Sequence, residues 1–324
     1  MTDKPFKTVE EQIEILKSRN LMFLNEEGAK ENLKRYGYYE IINGYKKPFL
    51  KNENDDDLGY KDGISFEHIF NLYLLDKNLR LDVLYSISFF EQNLKQAISN
   101  SISHKISEQQ ELYINPTIYN SGIHNERTRL LRMMERLTQE DTQPIKHYRE
   151  KHQNIPPWIL LKRFTLGQTI MLFRLISDPL IKEEIIALML GIKSNLLSQL
   201  DKTFKIKQAF GDMLQLILDY RNLAAHDGRI YDHRSNKHPL SMTDFIYQEI
   251  SISNYEFRHG KYRSSLGILI RILNLFDNPD PHTNLMVRVS VDMEKYLEKF
   301  PQDKDFLIQS SEVNVVPYIA DYLK

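Results

Sequence analysis

Arg221, Asn222 and His226 lie within six residues of one another, and between them they carry the groups that phosphate and proton chemistry needs. An imidazole has an ordinary pKa of ~6.5, so it exchanges protons near neutrality, a role typically worth ~10²–10⁴ in rate. A guanidinium stays charged and offers a planar fork that grips two phosphate oxygens. Asn222, one helical turn before His226, can orient the ring or donate to a phosphate. Cleaving a phosphodiester without a metal needs a base for the attacking hydroxyl, an acid for the leaving oxygen and positive donors for the charge that builds on phosphorus. The 2′-hydroxyl that would attack exists in RNA alone, so chemistry of this kind would spare DNA.

The element that must hold these groups is an amphipathic helix. Ile206, Phe210, Met213, Ile217, Tyr220 and Ala224 recur at spacings of four and three, the pattern of one buried stripe. At ~100° per residue these six fall within ~40° of one direction, while Gln208, Gln215, Asp219, Asn222 and His226 fall on the opposite side. His226 is therefore expected at solvent or in a site, and not in the core. Arg221 lies on the flank, ~140° from His226 by the same arithmetic, so one straight helix does not set the two side by side. The chain also offers a single Arg-x-x-x-x-His copy, and one imidazole does not readily serve as acid and base at once. A two-fold dimer joining two such helices would supply both pairs of groups through an isologous interface.

Arg221-Asn222-Leu223-Ala224-Ala225-His226 resembles the Arg-x-x-x-x-His motif of HEPN ribonucleases, in the Arg-Asn-x-x-Ala-His form of the Abi-like abortive-infection family (AbiD/AbiF type). Other stretches are similar to that family and occur in its order, over about residues 5 to 240: Gly37-Tyr38-Tyr39-Glu40-Ile41-Ile42-Asn43-Gly44-Tyr45, the segment from Asp76 to Glu91, His147-Tyr148 ahead of Pro156-Pro157-Trp158, and Phe164-Thr165-Leu166-Gly167-Gln168. The resemblance implies an all-α, HEPN-like helical bundle with additional N- and C-terminal helical elements. It implies an RNA substrate, paired motifs in a homodimer, cleavage that uses no metal or other cofactor and leaves 2′,3′-cyclic phosphate ends, and a toxin-like role in phage defence that halts the infected cell. Arg221, Asn222 and His226 are then catalytic, with Arg80, Glu91 and Asp227 in support and Arg80 or Glu91 near Arg221. Members of the AbiF type further imply a small non-coding RNA as antitoxin.

Composition bounds these expectations. The 324 residues include 43 basic and 44 acidic ones, for a formal net charge of −1, so RNA would be met by local patches and not by a global field. No cysteine is present, which removes disulfides, thiolate zinc sites and thiol nucleophiles and fits a reducing cytoplasm. The first six residues lack an apolar signal core, and no stretch approaches the ~18 apolar residues of a membrane span. A soluble, cytoplasmic protein without membrane contact is expected, long enough for one large or two ordinary domains.

Along the chain the expected divisions are a small helical module over 1–62, a helical core carrying the motif over 63–240, and a helical extension over 241–324. Thr8 with Glu11 reads as a capping box for a helix through about Arg19, and Asn25 caps another through about Arg35. Tyr36, Tyr38, Tyr39 and Tyr45, with Lys46, Lys47 and Lys51 beside them, either stack bases or pack the module. The run Asn52 to Asp57 reads as a solvated acidic loop. Ser65 caps a long helix to about His104 whose apolar face includes Ile69, Leu72, Leu79, Val83, Ile87, Phe90 and Leu94. Arg80 and Glu91 sit at or near that face. They are ~16 Å apart at ~1.5 Å per residue, so each needs another partner, expected from neighbouring helices, because an unpaired buried charge is expensive.

Arg129, Arg132 and Arg136 make a one-sided basic ridge facing solvent or RNA, and Arg229, Arg234 and Lys237, with His233 and His238, form a basic rim after the motif. Of that rim, Arg229 joins the ridge as a candidate RNA contact. Thr165 with Gln168 opens a helix to about Ile176, Asp178-Pro179 opens the next, Gly191 ends it, and the motif helix follows after Asp201. Leu266 to Phe276, Pro281 to Phe300 and Val313 to Leu323 complete a chain without long alternating strand patterns, so the fold is expected to be all-α. Two rival readings use the same residues. His226-Asp227 followed by His233 and His238 suits a His-Asp metal phosphohydrolase, given further ligands from other helices. A non-catalytic RNA-binding or interaction protein would use Arg221 and His226 only to hold phosphate.

Overall fold

The structure, a computed structural model, is described for residues 6–314; the element expected from Val313 to Leu323 lies, beyond Asn314, outside them. The fold is all-α. Among the described residues the only extended pairings are isolated bridges, Met22 with Ser65, Leu50 with Tyr60 and Tyr119 with Ile176. None of the described helices is long and apolar enough to cross a membrane. The chain forms two compact units, each gathered from separated segments. Among the described residues, one takes those through Asp82, Leu223–His233 and those from Val287; the other takes Val83–Asn222 and Arg234–Met286.

Local chemistry sets the helix starts in the first unit. Thr8 and Glu11 form the reciprocal capping box ahead of Val9–Ser18, Asn25 caps Glu26–Tyr36, and the Ser65 hydroxyl accepts from the His68 amide at the start of Phe66–Lys105. The core is aromatic: Phe66 stacks between Phe23 and Phe70 at centroid distances of 5.8 and 5.9 Å, and Tyr45 lies 6.1 Å from Tyr231. His68 is buried with its ring 3.9 Å from Phe300, and its Nε2 is 2.7 Å from Asp303 Oδ2, which also accepts from the Tyr296 hydroxyl at 2.5 Å. Of the early tyrosines, Tyr36 packs on Phe70 and Tyr73, Tyr45 is buried, and Tyr39 is exposed. The acidic run is not merely solvated. Asp56 pairs with Lys46 and Asp57 with Arg19 at 2.6 Å, so the loop clasps the end of the helix Val9–Ser18 and the residue ahead of the turn Lys47–Phe49.

The second unit is built from the rest of the long helix with Glu126–Thr138, Leu166–Leu175, Pro179–Leu190, Ser194–Phe204, the motif helix as far as Asn222, and Leu266–Leu273. An edge-on aromatic chain runs through its core: Phe90 to Phe276 at 4.8 Å, Phe276 to Phe210 at 6.1 Å and Phe210 to Phe173 at 5.4 Å. Thr165 and Gln168 make the expected capping box, and Gly191 ends its helix in the left-handed region at φ 65°. Asp201 serves the motif helix from within the helix before it, accepting from the Lys207 amide at 2.8 Å, while Lys205 turns the chain between them at φ 55°.

Candidate active site

The motif helix runs Ile206–Ala225. All six residues of the apolar stripe are buried, which fixes the inside of the helix as its spacing requires. Arg221 is half-buried, and its guanidinium donates to the Asn222 side-chain oxygen at 3.2 Å; Asn222 itself is exposed. His226 is exposed at the cap of the helix, one turn beyond Asn222. Of the expected polar face, Gln208, Asn222 and His226 are exposed, while Gln215 and Asp219 are half-buried.

What places His226 there is the way the helix stops. Asp227 takes the left-handed conformation at φ 57°, and the Gly228 amide folds back to donate to the Leu223 carbonyl at 2.8 Å. This is the left-handed reversal that satisfies the last carbonyls of a helix. Gly228 makes a close approach to Leu223: a Cβ there would stand 2.2 Å from Leu223 Cδ1 and 3.0 Å from its carbonyl oxygen, so Leu223 would have to shift. The reversal leaves the imidazole at the rim with Asp227 beside it.

Beneath the reversal sits a buried polar hub. Asp227 Oδ1 lies 3.9 Å from Arg80 Nε. Arg80, itself buried, donates to Asp76 Oδ2 at 3.0 Å and to the Tyr45 hydroxyl at 3.2 Å. The Tyr45 hydroxyl donates to the same Asp76 oxygen at 2.7 Å, and Asp76 Oδ1 accepts the backbone amides of Ile230 and Tyr231 at 2.9 and 2.7 Å. Burial pulls the Asp76 carboxyl above its ordinary range, and the donors from Tyr45, Tyr231, Arg80 and Ile230 oppose that pull. Arg80 is also buried, which would lower it, yet Tyr45 and Asp76 hold it above its ordinary value. Asp76, fully enclosed at 0% exposure, therefore ties the segment after the motif to the long helix.

The partners expected for Arg80 and Glu91 on neighbouring helices are instead found on their own helix. Arg80 pairs with Asp76 and Glu91 pairs with Lys95 at 2.6 Å, each one turn along the same helix. Arg80 reaches the motif through Asp227, whereas Glu91 is taken up with Lys95, which also donates to the Phe164 carbonyl at 2.5 Å. Asp76 was missed as a site residue. Its signal was present, because it falls on the apolar stripe with Ile69, Leu72 and Leu79, four residues before Arg80.

Arg129, Arg132 and Arg136 line the exposed face of Glu126–Thr138, opposite the buried Leu130, Met134 and Leu137; Arg129 is 4.0 Å from Glu126. Arg229 is half-buried and spends its donors within the first unit, on Asp232 at 2.6 Å and on the Gly44 carbonyl. With Lys47, Lys61 and Asp303 it lines a cavity of about 650 Å³. Among the described residues no three His, Asp or Glu side chains cluster so as to hold a metal ion.

Comparison with curated proteins and with solved structures finds no match. The family model described as Abi-like protein matches residues 31–232, a stretch that includes Tyr45, Asp76, Arg80, the motif and the amides that Asp76 holds. A match over well over half of the sequence decides the family: the chain belongs to the Abi-like proteins.

Proposed function

We propose that this Abi-like protein is a HEPN-type endoribonuclease of the AbiD/AbiF kind, acting in abortive infection as a phage-defence toxin. The observation that carries the reading is the exposed His226 at the helix cap, one turn after an exposed Asn222 and set at the rim by the reversal through Asp227 and Gly228. In the reaction, His226 of one protomer takes the 2′-hydroxyl proton as the oxygen attacks the adjacent phosphorus. The bond to the 5′-oxygen breaks, and the protonated imidazole of a second protomer gives that oxygen its proton. The products are a 2′,3′-cyclic phosphate and a 5′-hydroxyl. Arg221 neutralises the charge that builds on the phosphoryl oxygens, and Asn222 orients the ring or donates to the phosphate. No metal or other cofactor is needed. A homodimer meets the need for two imidazoles, and a small non-coding RNA is the expected antitoxin.

The test is cleavage of single-stranded RNA in EDTA by the wild type, Arg221→Ala and His226→Ala, each checked for mass in solution and for helical content. The wild type is expected to be dimeric and to leave cyclic phosphate ends. Each variant is expected to stay folded and dimeric and to lose on the order of 10²-fold or more in rate. Undiminished cleavage by both variants would overturn the assignment.

A further inference from the structure

Trp158 is the only tryptophan in the chain, and it is 41% exposed on the short helix Pro157–Leu160. Its neighbours explain how an indole is kept at the surface. Pro156, Pro157, Ile159 and Leu160 are all buried, and the Tyr113 hydroxyl donates to the Ile155 carbonyl just upstream. The ring therefore stands on a segment anchored on both sides and is presented with little freedom to collapse. It faces a cavity of about 580 Å³ whose opposite wall is the long helix. Gln92, Gln96 and Ser99, spaced four and three, line that wall with Asn93, and Lys95 and Lys162 complete the charged part of the lining. Among the described residues no carboxylate lines this cavity. A smaller cavity of about 250 Å³ shares Asn93 and Gln96, so the amide ridge is open on both flanks.

We propose that this groove binds single-stranded nucleic acid, with a base stacked on Trp158, base edges read by the amides of Gln92, Asn93 and Gln96, and a phosphate held by Lys162. An exposed indole offers a stacking face that every base fits. Side-chain amides carry donor and acceptor together, as base edges do. Lys95 is already neutralised by Glu91, so Lys162 supplies the charge and the contact is modest in salt dependence. The inference rests on the ribonuclease reading only for the strand being RNA.

The sole tryptophan makes the test direct: its fluorescence is followed in the full-length protein as an eight-nucleotide single-stranded deoxyoligonucleotide, which the proposed reaction does not cleave, is added in EDTA at low salt. Saturable quenching is expected, reproduced by a ribonucleotide strand of the same length, weaker with the corresponding duplex and absent with polyglutamate. Measured by anisotropy of a labelled strand, Trp158→Leu is expected to weaken binding roughly tenfold, with Trp158→Phe retaining most of it. Lys162→Ala is expected to reduce the slope of log affinity on log salt by ~0.7, the value for one phosphate on a single strand. Absence of quenching, or equal quenching by polyglutamate, overturns the proposal. Quenching with no cleavage by the wild type would sink the nuclease reading alone, and cleavage dependent on His226 with no quenching would sink the groove alone.

Discussion

Asp76 decides more about the motif's surroundings than any residue of the motif itself. Its two oxygens accept from Tyr45, from Arg80 and from the amides of Ile230 and Tyr231, so removing the carboxylate strands a buried guanidinium and two amides together. Breaking a buried pair from one side costs about 3–5 kcal/mol, and Asp76→Ala is expected to lose that much in urea denaturation. Asp76→Asn, which keeps one acceptor oxygen, is expected to lose clearly less. A loss below about 1 kcal/mol for the alanine variant would remove Asp76 from this role. The exposed face of His226 was readable from spacing, because a helix with six apolar residues in one stripe leaves its other side no choice. The hub was only half readable: position marked Arg80 as buried, but an acid four places before an arginine on one helix reads equally as a solvated surface pair until its burial is known.

At the scale of elements, the end of the motif helix is the part on which the site depends. Gly228→Ala puts a methyl into Leu223, with Cβ 2.2 Å from its Cδ1. Overpacking of this kind costs typically ~1–3 kcal/mol, and hydrogen exchange offers a local readout. The amides of His226 and Gly228, which both donate to the Leu223 carbonyl, are expected to lose protection together in Gly228→Ala. Protection at the wild-type level in that variant would show that the reversal does not need glycine. Capping boxes at Thr8 and Thr165 were legible because three or four neighbouring residues contain the whole interaction. The break between Ser194–Phe204 and the motif helix was not, since Lys205 enters the left-handed region with no residue type to announce it. The clasp of Asp56 and Asp57 on Lys46 and Arg19 escaped for a different reason. A run of acids reads as solvated until the folded chain brings cations to it.

For the molecule as a whole, order along the sequence says little about which segments pack together, because each compact unit gathers stretches far apart in the chain. One consequence is a pH-sensitive group where such stretches meet inside the first unit, at Asp82 of the long helix. Asp82 is buried, and Arg288 stands 3.7 Å from it. Burial first, and the neighbouring carboxylate of Asp292 second, push its carboxyl from an ordinary 3.8 up to about 7, against the pull of Arg288. The folded chain therefore keeps a proton that the unfolded chain releases at about pH 4. Stability from this group is fully present below that pH, is lost as pH rises towards 7, and is constant above. At ~1.4 kcal/mol per unit, the whole swing is up to about 4 kcal/mol. Asp82→Asn removes the titration while keeping the shape. Urea denaturation of both proteins at pH 5 and pH 8 is expected to show the asparagine variant gaining about 2–3 kcal/mol relative to the wild type at the higher pH. An equal difference at the two pH values would mean that Asp82 is ionised throughout and held by Arg288, and the stability of the first unit would then owe nothing to a retained proton.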